Sequence, residues 1–149
     1  MTAADDSTIH ASAVLVGAKA VLIRGPAGSG KSQLVWNLLI AADQGIFRFA
    51  RLVGDDRVHV ECSAGRLLAR PPQALAGMIE IHGLGIRRVA FEALAAVGMV
   101  VDLAAADASR HPEAGSTVIA GVTLPRLAVA AGMAALPMVL AVLRTPSGG

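Results

Sequence analysis

An α/β fold of the phosphate-loop kind is predicted by three features of this 149-residue chain. The stretch Gly25-Pro26-Ala27-Gly28-Ser29-Gly30-Lys31-Ser32 fits the G-x-x-x-x-G-K-[ST] pattern at every fixed position. An apolar, partly β-branched run at 20–23 precedes it. A segment with the Leu, Val and Trp spacing of a buried helix follows at 33–42, so the loop joins a strand to a helix. Further along, the near-continuous apolar run over 96–103 reads as a central strand buried on both faces.

Taken in order, residues 1–8 are small and polar and are expected to be a disordered tail, leaving 9–145 as a single domain. The apolar run 12–16 and the strand that feeds the loop flank Gly17-Ala18-Lys19, a hairpin pattern. The helix after the loop should stop near Asp43-Gln44-Gly45, where glycine commonly closes a helix. Residues 47–51 read as an insertion. The apolar pair Leu52-Val53 then runs through Gly54 into Asp55 and Asp56, which places two carboxylates at a strand end, where ligands gather in α/β folds. Alternation over 58–62, a turn at 63–66 and a returning strand at 67–70 make a second hairpin, closed by Pro71-Pro72. A strand at 78–81 opens into His82-Gly83-Leu84-Gly85. After the strand at 96–103, residues 107–115 read as a polar loop. Short β pieces at 118–122 and 124–127 lead into an apolar C-terminal helix over 127–143.

Composition narrows the classes. The chain is 54% hydrophobic but only 3% aromatic, so its core must be built from Ala, Val, Leu and Ile, and β-branched runs point to buried parallel strands. Two Lys and eleven Arg against eleven acids leave a net charge of +2, too little and too scattered for a nucleic-acid-binding face. Lone Cys62 cannot form an internal disulfide and suits a reducing cytoplasm. The N-terminus lacks the cationic start and apolar run of a secretory signal. Residues 127–143 approach the lower length for a membrane span, but Gly132, Pro137 and many Ala favour a buried helix or a subunit contact, and no membrane is expected.

The loop's residue types follow from what a triphosphate requires. Gly25, Gly28 and Gly30 carry no Cβ to block backbone N–H groups that curl round an anion, and the next helix turns its positive end to the same place. Lys31 would reach the terminal phosphates and the Ser32 hydroxyl would ligate Mg²⁺. Beside such a loop, one carboxylate of Asp55-Asp56 could accept a hydroxyl proton while the other holds Mg²⁺, although neighbours on an extended strand point to opposite sides unless the strand ends there. A solvated turn with an ion pair to Arg57 is the plainer reading. Glu80 lies in an apolar strand and needs either a partner, such as Mg²⁺-bound water or an Arg, or exposure to solvent. By spacing alone His10 reads as an edge or core histidine.

His10, the strand pair, the loop, Val53-Gly54-Asp55-Asp56 and Glu80-Ile81-His82-Gly83-Leu84-Gly85-Ile86 follow one another in an order that resembles the catalytic domain of bacterial HPr kinase/phosphorylase, over about residues 9–127. The resemblance implies the phosphate-loop fold shared with phosphoenolpyruvate carboxykinase, a mixed β-sheet with flanking helices. It further implies ATP- and Mg²⁺-dependent phosphorylation of a serine on the small phosphocarrier protein HPr, reversed with inorganic phosphate, in a cytoplasmic homo-oligomer, a hexamer in the family. Position by position, Lys31 then holds phosphates. Asp55 acts as general base and, in reverse, as general acid. Asp56 assists the phosphate and metal site, Ser32 and Glu80 serve Mg²⁺, and His10 stands near the reacting groups.

The sequence departs from the family pattern in three places. His82 stands where Arg is usual, Gln33 follows the loop where Glu is common, and Ala130-Ala131-Gly132-Met133-Ala134-Ala135 replaces an Arg-containing segment. These departures keep two other readings open: an ATP-binding regulatory module of reduced catalysis, and a phosphate-loop kinase of a small metabolite.

Overall fold

The computed structural model describes residues 7–108 and 115–145. Its elements in chain order are β1 (Ala11–Val16), β2 (Lys19–Arg24), α1 (Lys31–Asp43), β3 (Ala50–Gly54), β4 (His59–Ser63), β5 (Arg66–Arg70), a single 3₁₀ turn (Gln73–Leu75), β6 (Met78–Ile81), β7 (Gly85–Arg88), β8 (Ala95–Asp102), β9 (Gly115–Ile119), β10 (Val122–Ala128) and α2 (Ala135–Arg144).

The main sheet runs β3-β1-β2-β8-β10-β9, and the β4–β5 hairpin joins it where Leu68 and Ala69 of β5 pair with Ala96 and Ala95 of β8. Hydrophobic alternation sorts its side chains into two cores. Val21 and Ile23 of β2 and Met99 and Val101 of β8 meet Leu34, Val35 and Leu38 of α1, while Ala20, Leu22, Val97 and Val100 face Leu67 and Ala69 of the β4–β5 hairpin. The phase of β8 changes between Val97 and Met99, where its register against β2 shifts by one residue. Burial of α1 residues recurs at 31, 34, 35, 38 and 41, one face of a 3.6-residue period. Each fully buried Leu or Val there contributes about 1.5–3 kcal/mol. The helix closes as expected at the glycine, with Gly45 N–H donating to Ala42 O and Ile46 N–H to Ala41 O.

The sheet is mixed, as expected: β2–β8 and β8–β10 pair parallel, whereas β3–β1, β1–β2 and β9–β10 pair antiparallel. Several local expectations change. Residues 47–51 are only partly an insertion, because Ala50 and Arg51 pair with Val16 and Leu15 and begin β3. The β piece expected at 118–122 is the turn of a hairpin in which Val122 pairs with Ile119, with Ala120 and Gly121 both at positive φ. The helix expected over 127–143 starts only at Ala135: Leu127 and Ala128 pair with β8, and a turn through Gly132 at φ 82° intervenes. Nor is that helix buried throughout; Val139 is its one buried residue, with Val142 and Leu143 exposed. Pro137 is tolerated because first-turn N–H groups lack helical acceptors.

Of the tail expected over 1–8, residues 1–6 lie outside the described residues, as do 109–114 of the polar loop. Ser7 O accepts from His59 Nδ1 at 2.9 Å and Thr8 Oγ1 accepts from Arg57 Nη1 at 3.4 Å. No helix among the described residues is long and apolar enough to cross a membrane.

Candidate functional site

Strand β2 delivers the chain directly into the glycine loop, and α1 begins at Lys31 with Gly30 as its N-cap. Gly30 sits at φ 100°, a conformation open to glycine but strained for a side chain, and it turns the helix start toward the loop's concave side. Ser29 N–H donates to Pro26 O at 3.0 Å, closing the turn. Lys31 is 6% exposed, and its Nζ donates to Gly25 O at 2.8 Å and Pro26 O at 3.3 Å. The Ser29 hydroxyl is buried and has no hydrogen-bond partner, a polar atom left inside a loop whose backbone is shaped for an anion.

The Asp55 carboxylate stands one residue beyond β3 and draws three elements together. Its Oδ1 accepts from Ser32 Oγ at 2.7 Å and from Ser12 Oγ at 2.9 Å, and its Oδ2 accepts from Glu80 N–H at 3.0 Å. The strand ends through a tight turn in which Arg57 N–H donates to Asp55 O at 2.8 Å while Asp56 takes φ 66°. Asp tolerates this left-handed conformation better than most residues, and such backbone costs about 1–3 kcal/mol. The turn sends the two adjacent carboxylates to different partners. Asp56 Oδ1 lies 2.5 Å from His10 Nε2, at a solvent-facing rim where Asp56 is 57% exposed. Gly54, just before the acids, has Val58 so close that an added Cβ would sit 2.6 Å from it. Only glycine lets the turn pack this tightly.

The structure therefore gathers Lys31, Ser32 and Asp55 at the loop, sets Asp56 with His10 beside them, and brings Glu80 in through its backbone amide while its side chain remains exposed. Ser32 spends its proton on Asp55, which leaves its lone pairs available to a hard cation, so the hydroxyl fits a Mg²⁺ ligand. Among the described residues no three His, Cys, Asp or Glu side chains form a metal site by themselves. A cation here would need oxygens from its ligand as well, as Mg²⁺ at a nucleotide does. The turn at His82-Gly83-Leu84 caps the β6–β7 hairpin and lies exposed.

Two features were missed in the sequence. Ser12 is fully buried, donates to Asp55, and accepts from Asp56 N–H at 2.9 Å, tying both acids to β1. A serine in an otherwise apolar strand was the available signal. The second is an ion-pair chain beneath the loop. Arg24, immediately before Gly25, grips Asp102 through Nε at 2.7 Å and Nη2 at 2.8 Å; Arg126 Nε reaches the same carboxylate at 2.5 Å and makes two further bonds to Asp107. Burial pushes the Asp102 carboxyl up, but hydrogen bonds and charge from Arg24 and Arg126 outweigh it and hold the group below its ordinary range. Asp107 and Asp102 in turn raise Arg126, which stays charged. Asp102 interrupts the apolar run 96–103, and its partners on β2 and β10 lie far from it in sequence.

On the loop's other flank is a cleft of about 490 Å³. Residues 26–30 with Gln33, Leu34 and Asn37 of α1 form one wall, and residues 103–104 and 129–136 form the other. Backbone bonds hold that second wall in place: Val129 N–H donates to Asp102 O, and Ala105 N–H to Val129 O.

A strand, a glycine loop closed by Lys-Ser, a helix and a carboxylate bound to the loop serine define a phosphate-loop protein. The HPr Serine kinase C-terminal domain family matches residues 1–113, and the chain belongs to that family. It is 37% identical over 83 residues to the HPr kinase/phosphorylase of Clostridium beijerinckii and 36% identical over 83 residues to that of Clostridium tetani. In each case the match covers 56% of this chain and 25% of the relative, so the chain spans about a quarter of the length of these curated relatives. The solved structure of the Hpr(Ser) kinase/phosphatase from Coxiella burnetii has the same fold, with a TM-score of 0.76 at 24% identity over 93% of this chain and 94% of that one.

Proposed function

We propose that this chain is a Mg²⁺- and ATP-dependent protein serine kinase whose substrate is the phosphocarrier protein HPr, with the reverse, phosphate-dependent removal as its second activity. The observation that carries this reading is the Asp55 carboxylate, hydrogen-bonded to Ser32 of the phosphate loop and fixed by Ser12 and the Glu80 amide. Asp55 Oδ2 accepts one bond and keeps a lone pair for an incoming hydroxyl.

In the forward direction the acceptor serine's oxygen forms a bond to the γ-phosphorus, the bond to the ADP oxygen breaks, and the seryl proton passes to Asp55. Loop amides and Lys31 stabilise charge on the transferred group, with Lys31 leaving the Gly25 and Pro26 carbonyls for phosphate oxygens. Ser32, with Asp56 and Glu80 at the rim, would hold Mg²⁺, which neutralises phosphate charge when bound. His10 orients Asp56. Serine phosphorylation of HPr in a cytoplasmic homo-oligomer, a hexamer by resemblance, completes the reading.

The uncharged segment 130–135 and His82 favour a second reading, an ATP-binding module of reduced catalysis. A kinase of a small metabolite would turn over ATP with indifference to HPr. Incubation of the protein with labelled ATP, Mg²⁺ and HPr tests the leading reading, and the same incubation with small-metabolite acceptors in place of HPr separates the other two by ATP turnover. Phosphoserine on HPr supports the leading reading, whereas ATP binding without phosphoserine points to the module.

A further inference from the structure

The cleft beside the loop has no counterpart in the chemistry of Asp55. None of Ser32, Asp55, Asp56 or Glu80 lines it, and it carries no ionisable side chain. Its far wall is Ala, Gly, Met, Val and Leu, and its polar side chains are Ser29 at the loop and two amides on α1, Gln33 and Asn37. A volume of about 490 Å³ lies within the range of sites for compact organic ligands. Such walls give nothing to a phosphate or an acidic group. They suit a flat, uncharged body continuous with an anion held on the loop.

The amides add direction. Gln33 Nε2 donates to Asn37 Oδ1 at 2.9 Å, one helical turn apart. That bond holds the pair on one face of α1 and leaves Asn37 Nδ2 to donate and Gln33 Oε1 to accept. A donor beside an acceptor complements the N7 and N6-amine edge of adenine, whereas the same edge of guanine offers two acceptors.

We propose that this cleft holds the nucleoside half of a nucleoside triphosphate, with Asn37 and Gln33 as the residues that select adenine. The inference rests on the reading that the loop binds a triphosphate, and it names where the rest of that ligand goes. The small side chains of Ala130, Ala131, Gly132, Ala134 and Ala135 then have a purpose: each larger or charged replacement would take the space of the base.

The test compares Mg²⁺-dependent binding of ATP, GTP and inorganic tripolyphosphate by titration calorimetry on the full chain. ATP should bind more tightly than both, by about tenfold over GTP. Asn37→Ala should bring ATP to the GTP level with tripolyphosphate affinity unchanged, which also shows the loop still folded. Ala131→Trp, which fills the cleft from its exposed wall, should bring ATP to the tripolyphosphate level. Equal affinity for ATP and tripolyphosphate in the wild type, or an ATP advantage that survives Ala131→Trp, overturns the cleft assignment while leaving the loop's role intact. Unchanged ATP preference in Asn37→Ala overturns the amide assignment. Binding of none of the three ligands removes the triphosphate reading and the cleft with it.

Discussion

The two flanks of the phosphate loop are built from opposite materials. On one, two serine hydroxyls and a backbone amide donate to the Asp55 carboxylate and leave one Oδ2 lone pair open, with a second carboxylate and a histidine at the rim. On the other, small apolar residues and two amides line an open cleft free of ionisable groups. The first is a place where protons and cations are handled; the second offers shape. A loop that sits between them meets a ligand whose one end reacts and whose other end is merely recognised. Damage to the two sides should accordingly separate into lost rate and lost affinity.

The largest effect is expected from Lys31→Ala, which strips the loop of its only cation. Phosphotransfer to HPr should fall on the order of 10³-fold, as for removal of a preorganised charge-stabilising donor. A transfer assay with the variant's thermal midpoint measured alongside checks this. Asp55→Asn should follow, lowering transfer by about 10²–10⁴-fold while ATP affinity stays near wild type. Transfer at the wild-type rate would show that the charged flank supplies no base, and the contrast between the flanks would reduce to one of packing.

Asp102→Asn acts below both flanks. It leaves Arg24 and Arg126 facing each other without their shared anion, and a loss of about 2 kcal/mol is expected, less than for a fully buried pair because both guanidiniums are partly exposed. The pH dependence follows from the depressed carboxyl. Its stabilisation is complete above the unfolded value of 3.8 and is lost as pH falls through the lower folded value. Urea midpoints of wild type and Asp102→Asn should thus differ most near neutrality and converge below pH ~4. The smallest effect belongs to Ser12→Ala, which removes one donor from Asp55 and the acceptor of the Asp56 amide, at a cost of about 1 kcal/mol in chemical denaturation. A cost in transfer rate beyond that in stability would show that Ser12 also aims the carboxylate.

The parts of this arrangement legible in the sequence are those whose causes are local. Loop residues 25–32, the strand before them, the helix after them and the glycine that stops it all follow from neighbours within a few positions. That the Asp55-Asp56 pair would lie beside the loop was anticipated as well, since strand ends collect ligands there, but which of the two acids meets Ser32 was not. What escaped depended on strand order. The buried role of Ser12 appears only when β1 lies between β2 and β3, and the Arg24–Asp102–Arg126 chain only when β8 is inserted between β2 and β10. The C-terminal helix was overextended because apolar character at 127–134 signals burial equally well in a strand and in a helix. Pairing of Leu127 and Ala128 with Val101 and Asp102 places 127–128 in β10, and 129–134 form the connection to the helix.

The insertion of β8 also bears on when the protein becomes complete during folding. β1, β2, α1 and β3 are contiguous, so their contacts close short loops and form early by topology. Strand β2 gains its second neighbour only from residues 97–102, and Arg24 meets its anion in the same event. A chain still lacking β8 would already hold Lys31, Ser32, Asp55 and Asp56, yet the strand beneath the loop would present a bare edge to other chains. Emergence of the nascent chain thus sets an interval in which the binding loop is written but unsupported, and misassembly through that edge is its chief hazard.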